Sequence, residues 1–242
     1  MRVRSTSGWL SVFVLIIALG SGMTAAGGPD IDLQALTQET TRMGQTPKEI
    51  AVAWWIPEEV VAVYRAKAPQ VKTREMDEFA NVTRSYTVVF AIYGEVASGR
   101  VTYQTEDSIR TAARLVDSQG KSYAPRATEE VDSEAKRIIQ ILKPVFASGL
   151  GPAGQNMCFL LFPAKNDSGE RIADAKGKGQ FKVRLGEREF EWRLPIDALL
   201  PAKMCGVCKR ECKGSWLFCP WCGAALLKGS AGQTGVTGRG SP

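Results

Sequence analysis

The sequence contains no histidine among its 242 residues. This absence excludes Ser-His-Asp triads, imidazole general bases and every metal site that needs an imidazole nitrogen as a ligand. A catalytic zinc site of the histidine-rich kind is therefore excluded, whereas a closed metal site made only of cysteine sulfurs is not.

The chain also carries little net charge. Its 31 Lys and Arg against 25 Asp and Glu give +6, which becomes +4 if Arg2 and Arg4 are removed with an amino-terminal segment. The remaining charges alternate in sign, as at Glu187, Arg188 and Glu189. So mild a balance predicts a soluble protein without the basic footprint of a nucleic-acid binder.

The amino-terminal residues 1–26 have the three parts of a signal peptide. Arg2 and Arg4 precede an almost wholly apolar stretch at 9–19, and the small residues 24–26 form a cleavage site. The apolar stretch is shorter than the roughly 20 residues that a transmembrane helix needs. We therefore predict an extracytoplasmic protein, periplasmic or secreted, whose mature chain begins near Gly27. An uncleaved signal anchor is the alternative, and only then would we expect membrane association.

Residues 45–200 mix helical and strand patterns and are interpreted as the main domain. The clearest helix follows Asp132, with apolar residues such as Ala135 and Ile138 at intervals of three and four, and Pro144 is expected to kink or end it. Apolar runs at 50–56, 86–96 and 157–162 predict strands, with a bulge or bend at Gly94. Alternation on both sides of Gly186 predicts a hairpin over 181–194. We predict an α+β fold, with an antiparallel sheet or small β-sandwich and two or three helices.

The segments around this domain have weaker patterns. Residues 27–44 are interpreted as a leader with a weak helix that Gly44 breaks, and the Gly-rich stretch 149–154 as a loop. Residues 229–242 are rich in Gly, Ser and Thr and predict a flexible tail. The acidic residues at 129–134 are expected to favour a helix amino terminus electrostatically, with calcium binding or catalysis as the alternative.

Near the carboxyl end, two Cys-x-x-Cys pairs are separated by ten residues: Cys205 with Cys208, and Cys219 with Cys222. Four thiolates on two tight turns suit a tetrahedral metal ion, and Gly223 frees the backbone after the second turn. Residues 204–226 resemble the small zinc ribbons whose second knuckle reads F-C-P-x-C-G, as 218–223 does here. This resemblance covers about a tenth of the chain. It implies that the four cysteines bind a structural Zn(II).

Several features leave alternatives open for the cysteines. Such ribbons usually have glycine after the first pair, where this chain has Lys209, and Cys212 could replace one of the four ligands. Export favours disulfides, and the pair Cys219 and Cys222 has the form of a thiol redox motif. However, it does not open a helix in a βαβ unit, as such motifs do. Cys158 is interpreted as a buried apolar residue, with a bridge to Cys212 as the alternative.

The function predicted from these features is non-catalytic. We expect an exported binding or assembly protein with a protein partner of unknown identity, no nucleic-acid partner and no catalytic residue. Trp216, Leu217 and Phe218 are expected to pack on the main domain or on that partner. The alternative is a thiol–disulfide redox protein that uses the two Cys-x-x-Cys pairs, and iron in a four-thiolate site is a third option.

Overall fold

A computed structural model describes residues 31–67, 73–150 and 152–226 of the chain. The predicted signal peptide and carboxyl-terminal tail lie outside these residues. The described residues contain six α-helices: α1 Leu33–Thr40, α2 Glu58–Lys67, α3 Thr73–Ser85, α4 Glu106–Ala112, α5 Ser133–Leu150 and α6 Pro152–Gln155. None of them combines the length and apolar character that crossing a bilayer requires. The predicted α+β class is confirmed, with more helices than the two or three expected.

The strands form two larger antiparallel sheets and one small hairpin. The first sheet has the order β1-β2-β3-β4, with β7 also paired to β3, and the second has the order β6-β5-β8-β9. Since β7 pairs with one end of β3 and β4 with the other, both lie on the same side of β3, opposite β2. The strands are β1 Thr41–Thr46, β2 Glu49–Ile56, β3 Tyr86–Ala97, β4 Arg100–Tyr103, β5 Arg114–Val116, β6 Ser122–Tyr123, β7 Cys158–Pro163, β8 Gly179–Leu185, β9 Arg188–Leu194, β10 Lys203–Met204 and β11 Glu211–Cys212.

One hydrophobic core joins the two larger sheets. Consecutive residues of β3, from 88 to 92, are all buried, so both faces of this strand are covered. Trp55 of β2 meets Phe181 of β8 edge to face, with ring centroids 4.8 Å apart, and Phe181 stacks on Trp192 of β9 at 5.1 Å. The alternating pattern that predicted the β8–β9 hairpin thus supplies the second sheet's apolar face.

The helix that follows Asp132 is longer than its sequence predicts. The Asp132 carboxylate accepts a hydrogen bond from the Ala135 amide at 2.7 Å, which is the predicted amino-terminal cap. The helix then runs through Pro144 to Leu150, so the residues at 149–150 belong to a helix and not to the predicted loop. A proline removes only one amide donor from a helix, and the 18-residue helix continues past it.

Much of the segment interpreted as a leader is part of the folded structure. Helix α1 and strand β1 lie at 33–46, β1 pairs with β2 along its whole length, and Leu36 is fully buried. The Trp192 indole donates to the Thr40 carbonyl at 2.9 Å, which fixes the end of α1 on the second sheet. Gly44 does not break the chain here but pairs with Ala51. The sequence of β1 shows little alternation of apolar and polar residues. The strand is specified by its pairing with β2 and not by a buried apolar face.

Gly94 serves close packing and not the predicted bulge. It pairs in regular register with Ile50 on one side and Tyr103 on the other. A Cβ atom at this position would lie 2.9 Å from Val101 Cγ1, so only glycine lets the neighbouring side chain approach.

Candidate metal centre

Residues 203–226, here called the cysteine unit, consist of two knuckles with the same backbone hydrogen bonds. In the first, the Cys205 amide donates to the Arg210 carbonyl at 2.9 Å, and the Lys209 amide donates to the Cys205 carbonyl at 3.0 Å. The second knuckle repeats this pattern fourteen residues later, at 2.8 and 2.9 Å. Strands β10 and β11 pair around the first knuckle, and an isolated bridge flanks the second. The short sequence thus encodes two equivalent turns that face each other.

The four cysteines of the two pairs converge on one point. Their Sγ atoms all lie within 4.8 Å of one another. Contacts between the knuckles are the closest, with Cys205 Sγ 3.6 Å from Cys222 Sγ and Cys208 Sγ 3.5 Å from Cys219 Sγ. A tetrahedral ion with Zn–S bonds of about 2.3 Å separates its sulfurs by about 3.8 Å. The four cysteines are therefore positioned to hold a metal ion.

Backbone amides favour the thiolate form of the first cysteine in each knuckle. The last two residues of each knuckle donate their amides to that sulfur. At Cys205 these two amides hold the pKa of the thiol below its usual value. Burial opposes ionisation of Cys219, but its two amide donors outweigh this and lower the pKa of the thiol to about 6. Both sulfurs are buried from water, so the amides take the place of water in stabilising the thiolates.

The second cysteine of each knuckle is the one that keeps its proton. One amide donates to Cys208, from Arg210, but desolvation and the neighbouring sulfurs raise the pKa of this thiol to about 11. The same balance raises the pKa of Cys222 despite the Ala224 amide. A cation placed between the four sulfurs would displace these protons and balance the crowded negative charge.

Cys212 lies beside the four cysteines without joining them. Its side chain is 3% exposed and packs in the small core of the cysteine unit with Leu226. Desolvation first, and then the neighbouring sulfurs, raise the pKa of this thiol to about 11. The structure therefore groups the four cysteines of the two symmetric pairs, and not the alternative set that includes Cys212.

Cys158 is a core residue of the main domain. It is completely buried in β7, and burial raises the pKa of its thiol to about 12. All six cysteines are free thiols in this structure, and Cys158 and Cys212 belong to separate hydrophobic clusters. The interpretation of Cys158 as a buried apolar residue is confirmed, and the alternative bridge to Cys212 is absent.

One end of the cysteine unit is attached to the main domain. The Asp197 carboxylate accepts a hydrogen bond from the Ser215 amide at 3.1 Å and lies 3.4 Å from the Lys213 ammonium. A Cβ atom at Gly214 would lie only 2.4 Å from Leu200 Cβ, so the turn at 213–215 needs glycine to pack there. The role of Asp197 could not be predicted from the sequence, because a lone aspartate in a linker carries no pattern.

The predicted packing surface of the cysteine unit is only partly buried. Trp216 is half-buried against the cysteine cluster and meets Trp221 edge to face at 6.0 Å. Leu217 and Phe218 are 64% and 63% exposed. The sequence predicted that these side chains pack either on the main domain or on a partner. Leu217 and Phe218 do not pack on the main domain.

The other candidates from the sequence have structural roles. Asp132 caps α5 and accepts a hydrogen bond from the Tyr86 hydroxyl at 2.9 Å, and Glu134 lies in the first turn of α5. The other two acidic residues, Glu129 and Glu130, lie in a separate 3-10 helix, Thr128–Glu130. Two surface cavities, of about 740 and 240 Å³, lie in the main domain. In the smaller one, burial opposes ionisation of Glu106, but Lys143 at 2.7 Å and Arg110 at 2.9 Å lower the pKa of this carboxyl.

Comparisons with protein-family models, with curated proteins and with solved structures give no match to this chain. The assignment of function therefore depends on the geometry of the chain itself.

Proposed function

We propose that this is an exported, non-catalytic binding or assembly protein whose cysteine unit is a zinc ribbon with one structural Zn(II). The observation that carries the proposal is the convergence of four sulfurs from two equivalent knuckles within 4.8 Å. Four thiolates this close together would repel one another without a cation, and zinc prefers four-coordinate, closed thiolate sites for structural roles.

The metal is proposed to supply the folding free energy of the cysteine unit. Apart from three of its cysteines, the only buried apolar side chain of this unit, among the described residues, is that of Leu226. So small a core does not stabilise 24 residues, whereas structural zinc contributes on the order of 10 kcal/mol. All ligands are committed to the metal, so no open position is left for catalysis.

Export remains part of the proposal through the residues at 1–26. A signal peptide there would deliver the protein to an oxidising compartment, where bound zinc would protect the four thiolates from disulfide formation. The mild charge balance of the chain argues against nucleic acid as the ligand.

Metal analysis of the purified chain tests the zinc proposal. We expect one zinc per chain by elemental analysis and native mass spectrometry, and loss of that zinc in Cys219→Ser. Cys212→Ala is the matched control, because Cys212 is equally buried in the same unit but lies outside the group of four. A metal-free protein with a reversibly reducible bridge between Cys219 and Cys222 would overturn the proposal in favour of thiol–disulfide chemistry.

The export proposal has a separate test. Amino-terminal sequencing of the protein recovered from outside the cytoplasm should give a chain that begins near Gly27. A cytosolic protein that still carries Met1 would contradict it, whatever the metal content.

A further inference from the structure

Apolar exposure in this protein is concentrated in the cysteine unit. Eight large apolar side chains are exposed in the described residues, and five of them belong to this unit, which makes up about an eighth of those residues. They are Met204, Val207, Leu217, Phe218 and Trp221. Val207, at 72%, is the most exposed of all eight. Exposed apolar residues gathered on one small unit are typical of an interaction surface.

Two of these side chains lie on the knuckles, away from the main domain. Val207 and Trp221 occupy the third position of the first and second knuckle, and the convergence of the sulfurs brings the two turns side by side. The contacts to Asp197 and Leu200 are made by the turn at 213–215, outside both knuckles. Val207 and Trp221 are 72% and 50% exposed, so both are open to solvent.

Cations flank both apolar side chains. The Lys209 ammonium donates to the Gly206 carbonyl at 2.8 Å, beside Val207, and the Arg210 guanidinium lies 5.5 Å from the centroid of the Trp221 ring. We call Val207, Lys209, Arg210 and Trp221 the knuckle surface. Four cations and one acid give residues 203–226 a charge of +3, and a zinc tetrathiolate would contribute −2. The attraction for anions is thus local to the knuckle surface and not a property of the net charge.

Lys209 occupies a backbone conformation that disfavours it. Its φ of +58° is left-handed, as is the +72° of Gly223 at the equivalent position of the second knuckle. A side chain in this region costs about 1 kcal/mol relative to glycine. The Lys209 ammonium donates one hydrogen bond to Gly206 within the knuckle, which leaves two of its three donors for a ligand.

We propose that the knuckle surface docks on an anionic phospholipid bilayer, with Val207 and Trp221 entering the interface and Lys209 and Arg210 binding headgroup phosphates. Tryptophan with a neighbouring cation is suited to the boundary between headgroups and acyl chains. The two cavities described above are lined by residues of the main domain, whereas Val207 and Trp221 are exposed side chains. A bilayer accommodates projecting side chains, whereas a protein partner would need matching cavities of its own.

This inference rests on the proposed function, because the metal is what holds the two knuckles together. It changes the expectation for the partner, since the sequence predicted a protein partner and membrane association only through a retained signal segment. Here the contact is made by the opposite end of the chain. It is reversible, because two apolar side chains and two cations give far less binding free energy than a membrane-spanning helix.

Vesicle co-sedimentation tests the proposal with the zinc-loaded chain 27–242, which keeps every described residue and lacks the apolar stretch 9–19. We expect binding to vesicles of phosphatidylcholine and phosphatidylglycerol in equal amounts, and little binding to phosphatidylcholine alone. Val207→Ser and Trp221→Ser should each weaken binding about tenfold, since each removes one inserted apolar side chain. Lys209→Gly should weaken it about fivefold while improving the backbone conformation.

Met43→Ser is the matched control, because Met43 is 57% exposed on β1 in the main domain. It should bind vesicles like the unaltered chain. Protein that keeps its zinc but stays in the supernatant with anionic vesicles overturns this inference alone and favours a protein partner. Binding that survives both serine substitutions also overturns it. Absence of zinc from the unaltered chain overturns the proposed function itself.

Discussion

Lys209 and Gly223 occupy equivalent positions in the two knuckles, and both have left-handed backbones. Their φ angles are +58° and +72°, and each amide donates to the carbonyl of the first cysteine of its knuckle, at 3.0 and 2.9 Å. The fold therefore requires the same turn twice, although the chain provides glycine only once. The departure from the usual ribbon sequence at Lys209 changes the side chain and leaves the geometry of the turn intact.

Substitutions at these two positions should change the stability of the cysteine unit in opposite directions. Lys209→Gly removes the left-handed strain, and we expect it to stabilise the zinc-bound cysteine unit by up to about 1 kcal/mol. Gly223→Ala introduces the same strain and should destabilise the unit by a similar amount. Competition of the zinc-loaded proteins against a chelator measures both effects.

Gly206→Ala is the control for this pair of variants. Gly206 lies in the first knuckle, but its φ is not left-handed and a Cβ atom there would have open space. It should leave zinc retention within a few tenths of a kcal/mol of the unaltered chain. If Gly206→Ala and Gly223→Ala behaved alike, backbone strain would not explain the difference between the knuckles.

Removal of zinc should unfold the cysteine unit and spare the main domain. The main domain has its own core around Trp55, Phe181 and Trp192, whereas the unit has almost no core without the metal. After treatment with a chelator we expect fast amide hydrogen exchange over 203–226 and unchanged protection in β2, β3 and β8. An unchanged exchange pattern in 203–226 would show that the metal does not hold the unit together.

Metal uptake by the zinc-free protein should release protons. The pKa of the Cys208 thiol is raised to about 11 and that of Cys222 is also raised, so at least these two thiols carry their protons at neutral pH. Zinc needs all four thiolates, so its affinity should fall as the pH falls. A pH indicator in weakly buffered solution should therefore report at least about two protons per zinc bound at neutral pH. Release of no protons would contradict this assignment.

The sequence predicted those parts of the protein that have a local pattern. The β8–β9 hairpin could be predicted because its apolar residues alternate around Gly186, and the four cysteines because their spacing allows a tetrahedral site. Strand β1 could not be predicted in this way, because its six residues are specified by pairing with β2. The continuation of α5 past Pro144 and the exposure of Phe218 depend on tertiary packing, which a local pattern does not record.

The cap of α5 gives a prediction for acid stability. The Ala135 amide and, to a smaller degree, the Tyr86 hydroxyl hold the pKa of Asp132 below its usual value, against the opposing effect of burial. A lowered pKa in the folded state means that Asp132 stabilises the protein fully above its unfolded-state pKa, and that this contribution is lost as the pH falls through the folded-state pKa. Asp132→Ala should therefore cost about 1 kcal/mol at neutral pH, and progressively less in acid. Asp132→Asn keeps an oxygen that can accept the Ala135 amide, so its smaller cost should come from the lost charge. Urea unfolding of the three proteins over a series of acidic pH values measures this, and a cost of Asp132→Ala that did not shrink in acid would refute the role of the ionised cap.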